Sequence, residues 1–208
     1  MKKIVTLMLA MLMLVPAYAE TRNKDLEKAR KKEYKQKLKE YKKAKWEVLG
    51  SHTLEVALAS HFDRLNQLGA DGHEVEGIAS STKSKNTGKQ MAINNAAITY
   101  AQEAGSTLQG RVISDINANG ADAAGEFENF YAAYERLVEK EIKSELEPSY
   151  TIIRSNPDGT FEIRSYFIVA ESAAAKARQR ALDQALKDSE AAQKYADKIS
   201  GFVSKGFE

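Results

Sequence analysis

Cysteine is absent from the 208-residue sequence, and proline and histidine are scarce, with three residues of each. Without cysteine the chain can form no disulfide bond, no thiolate metal site and no catalytic thiol. It also cannot carry the acylated cysteine that anchors bacterial lipoproteins. Thiol chemistry and lipid anchoring through cysteine are therefore excluded.

Motifs for catalysis and nucleotide binding are missing as well. The sequence contains no H-E-x-x-H, P-loop, G-x-G-x-x-G or G-x-S-x-G pattern. His52 and His61 are nine residues apart, which would place them on opposite sides of one helix. His61 falls in an apolar stripe and is predicted to pack in the core. We therefore expect no metal, no cofactor and no catalytic site.

One short motif keeps an enzyme hypothesis open. Ser80–Lys83 matches the S-x-x-K pair of penicillin-recognising enzymes, which also need S-D-N and K-T-G elements. Ser114–Asn117 and Asn86–Gly88 only approximate those elements. Ser80 is also predicted to end a strand rather than to begin a helix. A small exported serine enzyme acting through Ser80 and Lys83 is the alternative to a non-catalytic protein.

A long apolar run occurs only at the beginning of the chain. Lys2 and Lys3 precede the run Ile4–Val15, and Pro16 and Ala17–Ala19 follow it. Positive charge, an apolar helix and small residues together predict a secretory signal peptide over residues 1–19, cleaved after Ala19. A membrane anchor is the competing interpretation, but a spanning helix needs about 20 apolar residues. We expect a periplasmic or secreted protein.

Charge is divided unevenly behind that signal. The whole chain has a formal net charge of +2. Residues 20–45 contain twelve lysines and arginines against five carboxylates, a net charge of +7. From Trp46 onward, seventeen basic residues face twenty-four acidic ones, a net charge of −7. A basic arm therefore precedes an acidic body.

The arm, residues 20–47, is predicted to be helical because it lacks glycine and proline and is rich in good helix formers. A thin apolar stripe runs along it, formed by Leu26, Arg30, Tyr34, Leu38 and Tyr41. Three interpretations remain: the stripe packs on the acidic body, the arm binds an anionic membrane or lipopolysaccharide surface, or it binds a partner protein. Nucleic acid is not expected, because the signal directs the chain away from it. The candidate binding residues are Arg30, Lys31, Lys32, Tyr34, Lys35, Lys39, Tyr41 and Lys42.

The body, residues 48–208, is predicted to be a single α+β domain. Hydrophobic periodicity and turn signals give the order α-α-β-α-α-β-β-α for the arm and body together. The predicted elements of the body are a helix from Leu54 to Gly69, a strand His73–Ser81, helices 89–117 and 126–146, a hairpin of Tyr150–Ser155 and Phe161–Ala170, and a helix 172–200. This order favours helices packed on one face of a small, mostly antiparallel sheet.

Two glycines and two side-chain patterns give finer predictions. Gly77, inside a strand, indicates a bulge or a close packing contact, and Gly105, inside a helix, indicates that another element packs close to it. Met91, Ile98, Gly105 and Val112 recur every seven residues and are predicted to face the core. The aromatic stripe between Phe127 and Tyr134 is also predicted to be core.

The strand and helices after residue 72 also carry a family resemblance. A Gly-x-Ala strand leads through an Asn-containing loop into an alanine-rich helix, followed by a helix and a hairpin with an Asp-Gly turn. The matching residues are Gly77, Ala79, Asn86, Ala92, Ala96, Ala97, Ala101, Asp158 and Gly159. Over residues 73–170 this resembles the Lpp-twenty lipoproteins and the N-terminal domain of flagellar assembly protein T. The resemblance implies an envelope-associated, non-enzymatic fold and carries over no functional residues.

Overall fold

The structure, a computed structural model, describes residues 24–116 and 121–207. The predicted signal peptide lies outside the described residues. Helix α1 covers 24–43 within the predicted arm, so the arm is helical there as expected. The further elements are β1 (Glu47–Val48), α2 (Leu54–Leu68), β2 (Gly72–Thr82), α3 (Lys85–Ile116), α4 (Ala121–Ile142), β3 (Glu147–Ser155), β4 (Phe161–Ala170), α5 (Glu171–Ala185), α6 (Glu190–Gln193) and α7 (Ala196–Ser204).

The four strands form one antiparallel sheet in the order β1-β3-β4-β2. The predicted hairpin is present as β3 and β4, which are joined by a turn at residues 156–160. Gly159 has a φ of 81°, and the Asn156 N–H donates to the Thr160 carbonyl at 2.8 Å. Strand β2 pairs with β4 alone, so β2 forms one edge of the sheet.

Helices cover both faces of this sheet. The α+β class and the antiparallel pairing are confirmed, whereas the expectation of helices on one face only is corrected. Phe167 and Val169 of β4 join the larger core beneath α3, α4 and α5. Tyr166 and Ile168, which point the other way, join a second core beneath α1 and α2. Both faces of β4 are buried, which fits its continuous apolar run Phe167–Val169.

Small residues bring α3 close to β2. A Cβ on Gly77 would lie 1.9 Å from the Ala92 carbonyl oxygen, so only glycine fits there. The predicted close contact at Gly77 is therefore confirmed, and Ala96 lies beside it. The seven-residue pattern is wrong at its first member, because Met91 is 44% exposed and the buried stripe is mainly alanine. At Gly105, the Glu135 side chain of α4 would be 3.1 Å from an added Cβ, as the glycine predicted.

The aromatic stripe of α4 belongs to the core. Phe127, Phe130 and Tyr134 are buried, together with Val138 and Ile142, at helical spacing. The prediction of core packing is confirmed, and the helix ends at Ile142 rather than near Leu146. Their burial joins α4 to α3 and α5, which completes the larger core.

The C-terminal segment was predicted to be one helix over residues 172–200, and this prediction is wrong. Helix α5 ends at Ala185, and a 3-10 turn, Leu186–Asp188, separates it from α6. The Ser189 hydroxyl caps the new helix by accepting the Ala192 N–H at 3.2 Å. The break turns the chain back so that Phe202 and Val203 of α7 are buried in the larger core. Phe202 and Val203 therefore return the C-terminal segment to the body.

Candidate functional site: a docked basic helix

Helix α1 packs on the second face of the sheet through its apolar stripe. Tyr34 meets the Phe62 ring edge-on, with 6.1 Å between the ring centroids. Tyr41 and Trp46 are buried and contact each other edge-on at 6.4 Å. These contacts favour the first of the three interpretations for the stripe, that it packs on the acidic body.

Arg30 fixes α1 to the C-terminal end of α2. Its guanidinium donates to the backbone carbonyls of Leu65, Gly69 and Gly72, the last two at 2.9 and 3.3 Å. The last carbonyls of a helix have no partner within the helix and carry its negative dipole end, so a cation is favoured there. Burial lowers the pKa of Arg30 from its ordinary value, and the nearby Glu33 opposes this. Arg30 thus acts as a structural cap.

A second polar contact joins α1 to the edge strand. Lys37 Nζ donates to Glu74 at 2.7 Å and lies 3.4 Å from Glu33. Buried His61 places Nε2 at 2.7 Å from Glu74, a close contact not aligned as a hydrogen bond, and Nδ1 at 2.9 Å from Ser149 Oγ. Burial alone would raise the pKa of Glu74, but His61 and Lys37 outweigh it, so that pKa lies below its ordinary value.

The Glu74 carboxylate also shifts the pKa of Lys37. Burial alone would lower the pKa of Lys37, whereas Glu74 raises it, and the net pKa lies above its ordinary value. Both partners are therefore charged at neutral pH. The prediction that His61 is a packed core residue is confirmed, since it is 1% exposed.

Tyrosine hydroxyls extend this polar layer across the sheet. Tyr41 and Tyr166 share a hydrogen bond of 2.8 Å, and Tyr166 donates to Glu76 at 2.7 Å. The Trp46 ring faces the guanidinium groups of Arg154 and Arg164, 4.7 and 5.1 Å from the ring centroid. The beginning and the end of α1 are thus both held by buried polar contacts.

The outward side of α1 is a lysine face. At about 100° per residue, eight lysines of α1 fall within an arc of about 120° on the side opposite Arg30 and Tyr41. All eight are exposed, and the seven from Lys28 onward are here called the lysine stripe: Lys28, Lys31, Lys32, Lys35, Lys39, Lys42 and Lys43. The exposed carboxylates of the described helix lie at or beyond the edges of the stripe, and Asp25 at one edge is 3.7 Å from Lys28. The helix therefore presents a nearly uniform positive surface to solvent.

The predicted binding residues divide between the two sides of α1. Arg30 and Tyr41 are buried and Tyr34 is half-buried, so these three contact the body. The five lysines of the prediction are all in the lysine stripe: Lys31, Lys32, Lys35, Lys39 and Lys42. Lys42 also pairs with Glu55 of α2 at 2.5 Å. A binding role for these lysines stays a prediction.

Sequence reasoning missed the partners that dock the helix. Lys37 looked like one more lysine of the arm, yet its spacing from Tyr34 and Tyr41 places it on the body-facing side. Glu74 and Glu76 lie on the side of β2 that faces α1, where a sheet covered on one face only would leave them in solvent. A helical-wheel comparison would have singled out Lys37, but only the second packed face explains the two glutamates.

The residues of the enzyme hypothesis are not brought together. Ser80 and Lys83 are both exposed, near the irregular pairing between Ala79 and Thr82 at the end of β2. Within the described part of the chain, no hydrogen bond links Ser80 to Lys83. Residues 24–116 and 121–207 contain no group of three or more His, Asp or Glu placed to hold a metal ion. In the same ranges, no helix combines the length and apolar character needed to cross a bilayer.

Comparisons with known proteins give no relative. No family model matches the chain, no curated protein matches it, and no solved structure matches it. The function therefore has to be argued from the chain itself.

Proposed function

We propose that this protein is an exported, non-catalytic envelope protein that binds an anionic membrane or lipopolysaccharide surface through the lysine stripe of α1. The observation that carries the proposal is the row of seven exposed lysines on the outward side of α1, of which Lys42 is paired with Glu55 of the body. Each lysine near an anionic lipid surface contributes about 1 kcal/mol of binding. Seven together provide substantial adsorption without any apolar insertion.

Binding on this helix is electrostatic rather than insertive. An amphipathic helix that enters a lipid interface needs a free apolar face. The apolar residues of α1 are already used against the body, because Tyr41 and Trp46 are buried and Tyr34 contacts Phe62. The helix can therefore lie on a charged surface while it stays docked. Salt should weaken this binding, because charges are screened over a Debye length of about 8 Å at 0.15 M salt.

The chemistry of the stripe favours a charged surface over a protein partner. Protein interfaces are depleted in lysine and enriched in aromatic residues and arginine at their centres. The stripe contains lysine alone, without an exposed aromatic residue between its members. Lipid phosphates and lipopolysaccharide phosphates accept lysine as a point charge and need no fixed geometry. The predicted signal peptide would deliver the chain to a compartment where such surfaces occur.

Vesicle sedimentation tests the proposal. The purified chain is mixed with vesicles of phosphatidylcholine alone or with 30% phosphatidylglycerol (a composition of the order used for anionic leaflets), and with lipopolysaccharide aggregates, at increasing salt. We expect binding only to the anionic vesicles or aggregates, and a steep loss with salt. Changing Lys31, Lys32, Lys35 and Lys39 together to Gln should weaken binding by about two orders of magnitude or more.

The matched control changes four exposed lysines elsewhere. Lys140, Lys176, Lys187 and Lys194 are exposed on α4, α5 and the C-terminal segment, and their change to Gln removes the same charge. This control should retain most of the binding. Equal losses in both variants would show that net charge alone acts, and binding to neutral vesicles would contradict an electrostatic surface site.

A further inference from the structure

The free edge of β2 borders a groove that the proposed surface binding does not use. The groove has a volume of about 820 Å³ and lies between β2 and the middle of α3, with the C-terminal residues at one end. Ile98, Tyr100, Val169 and Phe207 supply apolar walls, and Glu103 stands among the polar lining residues. This volume is typical of a ligand site.

The backbone of β2 is available beside this groove. Main-chain groups of an antiparallel strand point alternately toward and away from the partner strand. The carbonyls of Gly72 and Ile78 accept side-chain hydrogen bonds from Arg30 and Asn95, neither of which belongs to the sheet. Glu74 and Glu76 have the same parity, so their N–H and C=O groups point to the open edge. Within the described residues, nothing pairs with those four groups.

Asn95 and Arg30 limit the open stretch at its two ends. The Asn95 side chain donates to the Ile78 carbonyl at 2.7 Å, which protects the edge beyond that point. Arg30 protects the other end at Gly72. Edge strands commonly carry such protection, because free main-chain groups invite pairing with another chain. Here protection stops on both sides of a stretch of about five residues, which is the length a short peptide strand needs.

We propose that this edge binds a short extended peptide of alternating basic and apolar residues, which adds as a strand to β2. Strand addition derives affinity from main-chain hydrogen bonds and specificity from alternate side chains. Side chains opposite Val75 would enter the groove and meet Ile98, Tyr100 and Phe207. Side chains opposite Glu76 would meet a carboxylate. Opposite charges stabilise a cross-strand pair and like charges destabilise it.

That charge rule argues against a second copy of this chain as the occupant. Edge-to-edge pairing of two antiparallel β2 strands about Val75 would bring Glu74 and Glu76 of each copy opposite one another. Like charges directly opposite are destabilising. A lysine or arginine opposite Glu76 has the reverse effect, because that carboxylate, which already contacts Arg164 at 3.3 Å, can accept a second cation.

A peptide array supplies the probe. The purified chain is applied to hexapeptides in which Lys, Glu or Ser alternates with Val, Leu or Phe, and binding to the best peptide is then measured in solution by fluorescence anisotropy. We expect the lysine series to bind best. N-methylation of the amides that face β2 should abolish binding, because it removes the main-chain hydrogen bonds. Failure of the whole array, or equal binding of the N-methylated peptide, would overturn the proposal.

Two variants separate the edge carboxylate from general charge. Glu76→Gln should weaken binding of the lysine peptide about five-fold or more, because the peptide lysine loses the carboxylate opposite it. Glu128→Gln, the same change at an exposed position of α4, should leave it unchanged. The four-lysine variant of the stripe should also bind the peptide normally, so failure of surface binding and failure of peptide binding are distinguishable.

Amide hydrogen exchange locates the contact. Peptide addition should slow exchange at Glu74 and Glu76, whose amides face the open edge. Their neighbours Val75 and Gly77, directed toward β4, should change little. Protection only at the lysine stripe, or concentration-dependent dimerisation of the chain through β2, would contradict the assignment.

Discussion

The two faces of the sheet differ in how they hold their helices. On the α3 face, β2 and β4 meet alanines, phenylalanines and a glycine contact that excludes even one methyl group. On the α1 face, aromatic residues surround a layer of buried polar contacts that includes Arg30, His61 and Tyr166. The first face depends on shape, whereas the second depends on hydrogen bonds and charge as well.

This difference gives the two faces different sensitivities. Close packing is felt when side-chain volume changes by a single methyl group, and it is indifferent to pH. Buried polar groups are costly when one partner is removed, and charged pairs respond to protonation. The α3 face should therefore fail through overpacking. The α1 face should loosen through loss of individual hydrogen bonds, and the helix that carries the lysine stripe should loosen with it.

The largest expected effect comes from overpacking the α3 face. In Gly77→Ala, the new Cβ would overlap the Ala92 carbonyl oxygen at 1.9 Å, and backbone atoms cannot move aside as a flexible side chain does. We expect the free energy of unfolding to fall by about 3 kcal/mol, the upper part of the range for overpacked sites. Urea denaturation of the variant and the parent measures this loss in free energy of unfolding.

A second glycine provides the control for that substitution. Gly110 lies in α3, the helix that Gly77 contacts, and an added Cβ there would meet nothing within 4 Å. Gly110→Ala should stabilise the protein by about 0.5–1 kcal/mol, because alanine loses less backbone entropy in a helix. If both changes had equal effects, close contact would not be the reason for glycine at position 77.

On the α1 face, loss of the Arg30 cap is expected to be the largest single perturbation. Arg30→Met keeps an apolar stem but removes the guanidinium from the carbonyls of Leu65 and Gly72, whereas the Gly69 carbonyl still accepts the Gly72 N–H. Leaving buried acceptors unpaired costs about 1–3 kcal/mol, so we expect a loss near 2 kcal/mol. Hydrogen exchange should also show faster exchange in the α1 amides than in α3.

Lys32→Met tests the same substitution on the outward side of α1. Lys32 is exposed, and surface changes of this kind usually stay within about 0.5 kcal/mol. Stability should therefore hardly change, while vesicle binding should weaken slightly. An Arg30→Met protein as stable as Lys32→Met would mean that α1 is held by its aromatic residues alone.

The contrast between the faces also explains what the sequence could predict. Helix α2, the β3–β4 hairpin and the aromatic stripe of α4 follow from local patterns: periodicity, the Asn-Pro-Asp-Gly turn and helical spacing of apolar residues. Gly77 indicated a bulge or close packing, because glycine weakens the interior of a strand unless a special conformation or contact requires it. The break after Ala185 carried no such signal, since Leu186–Asp188 contains neither glycine nor proline and the capping Ser189 acts only once the chain turns.

Of the candidate site, the lysines could be predicted from the sequence, but the contacts that dock α1 could not. The charge division and five of the seven lysines of the stripe can be read directly from composition and spacing. The docking of α1 cannot, because Arg30, Lys37 and Glu74 make their contacts over about 35 to 40 positions of sequence. Polar residues on β2 looked solvent-facing, and only the second helical layer makes them partners.

Two tyrosines sharpen the view that single hydrogen bonds hold the α1 face. Tyr166→Phe removes the bonds to Tyr41 and Glu76, which are left in a buried site, and should cost about 1–2 kcal/mol. The hydroxyl of Tyr150 is buried without a hydrogen bond of ordinary geometry to any described residue. Tyr150→Phe should therefore be neutral or slightly stabilising, as differential scanning calorimetry can measure. Equal losses of stability in the two variants would contradict this view, because they would show that the hydrogen bonds of Tyr166 add nothing specific.

The smallest expected effect is the pH response of Glu74. Its folded-state pKa lies below its ordinary value of 4.5, because contacts with His61 and Lys37 outweigh burial. The contribution of the carboxylate is therefore fully present above about pH 4.5 and is lost as the pH falls through the lower folded-state value. Glu74→Gln should lower stability by less than about 1 kcal/mol at pH 7, and the difference from the parent should shrink below pH 4.5. Glu147→Gln, which breaks an exposed pair with Arg64, is the control and should leave α1 exchange unchanged. If the difference in free energy of unfolding between Glu74→Gln and the parent did not change with pH, the Glu74 side chain would stabilise docking by packing and not by its charge.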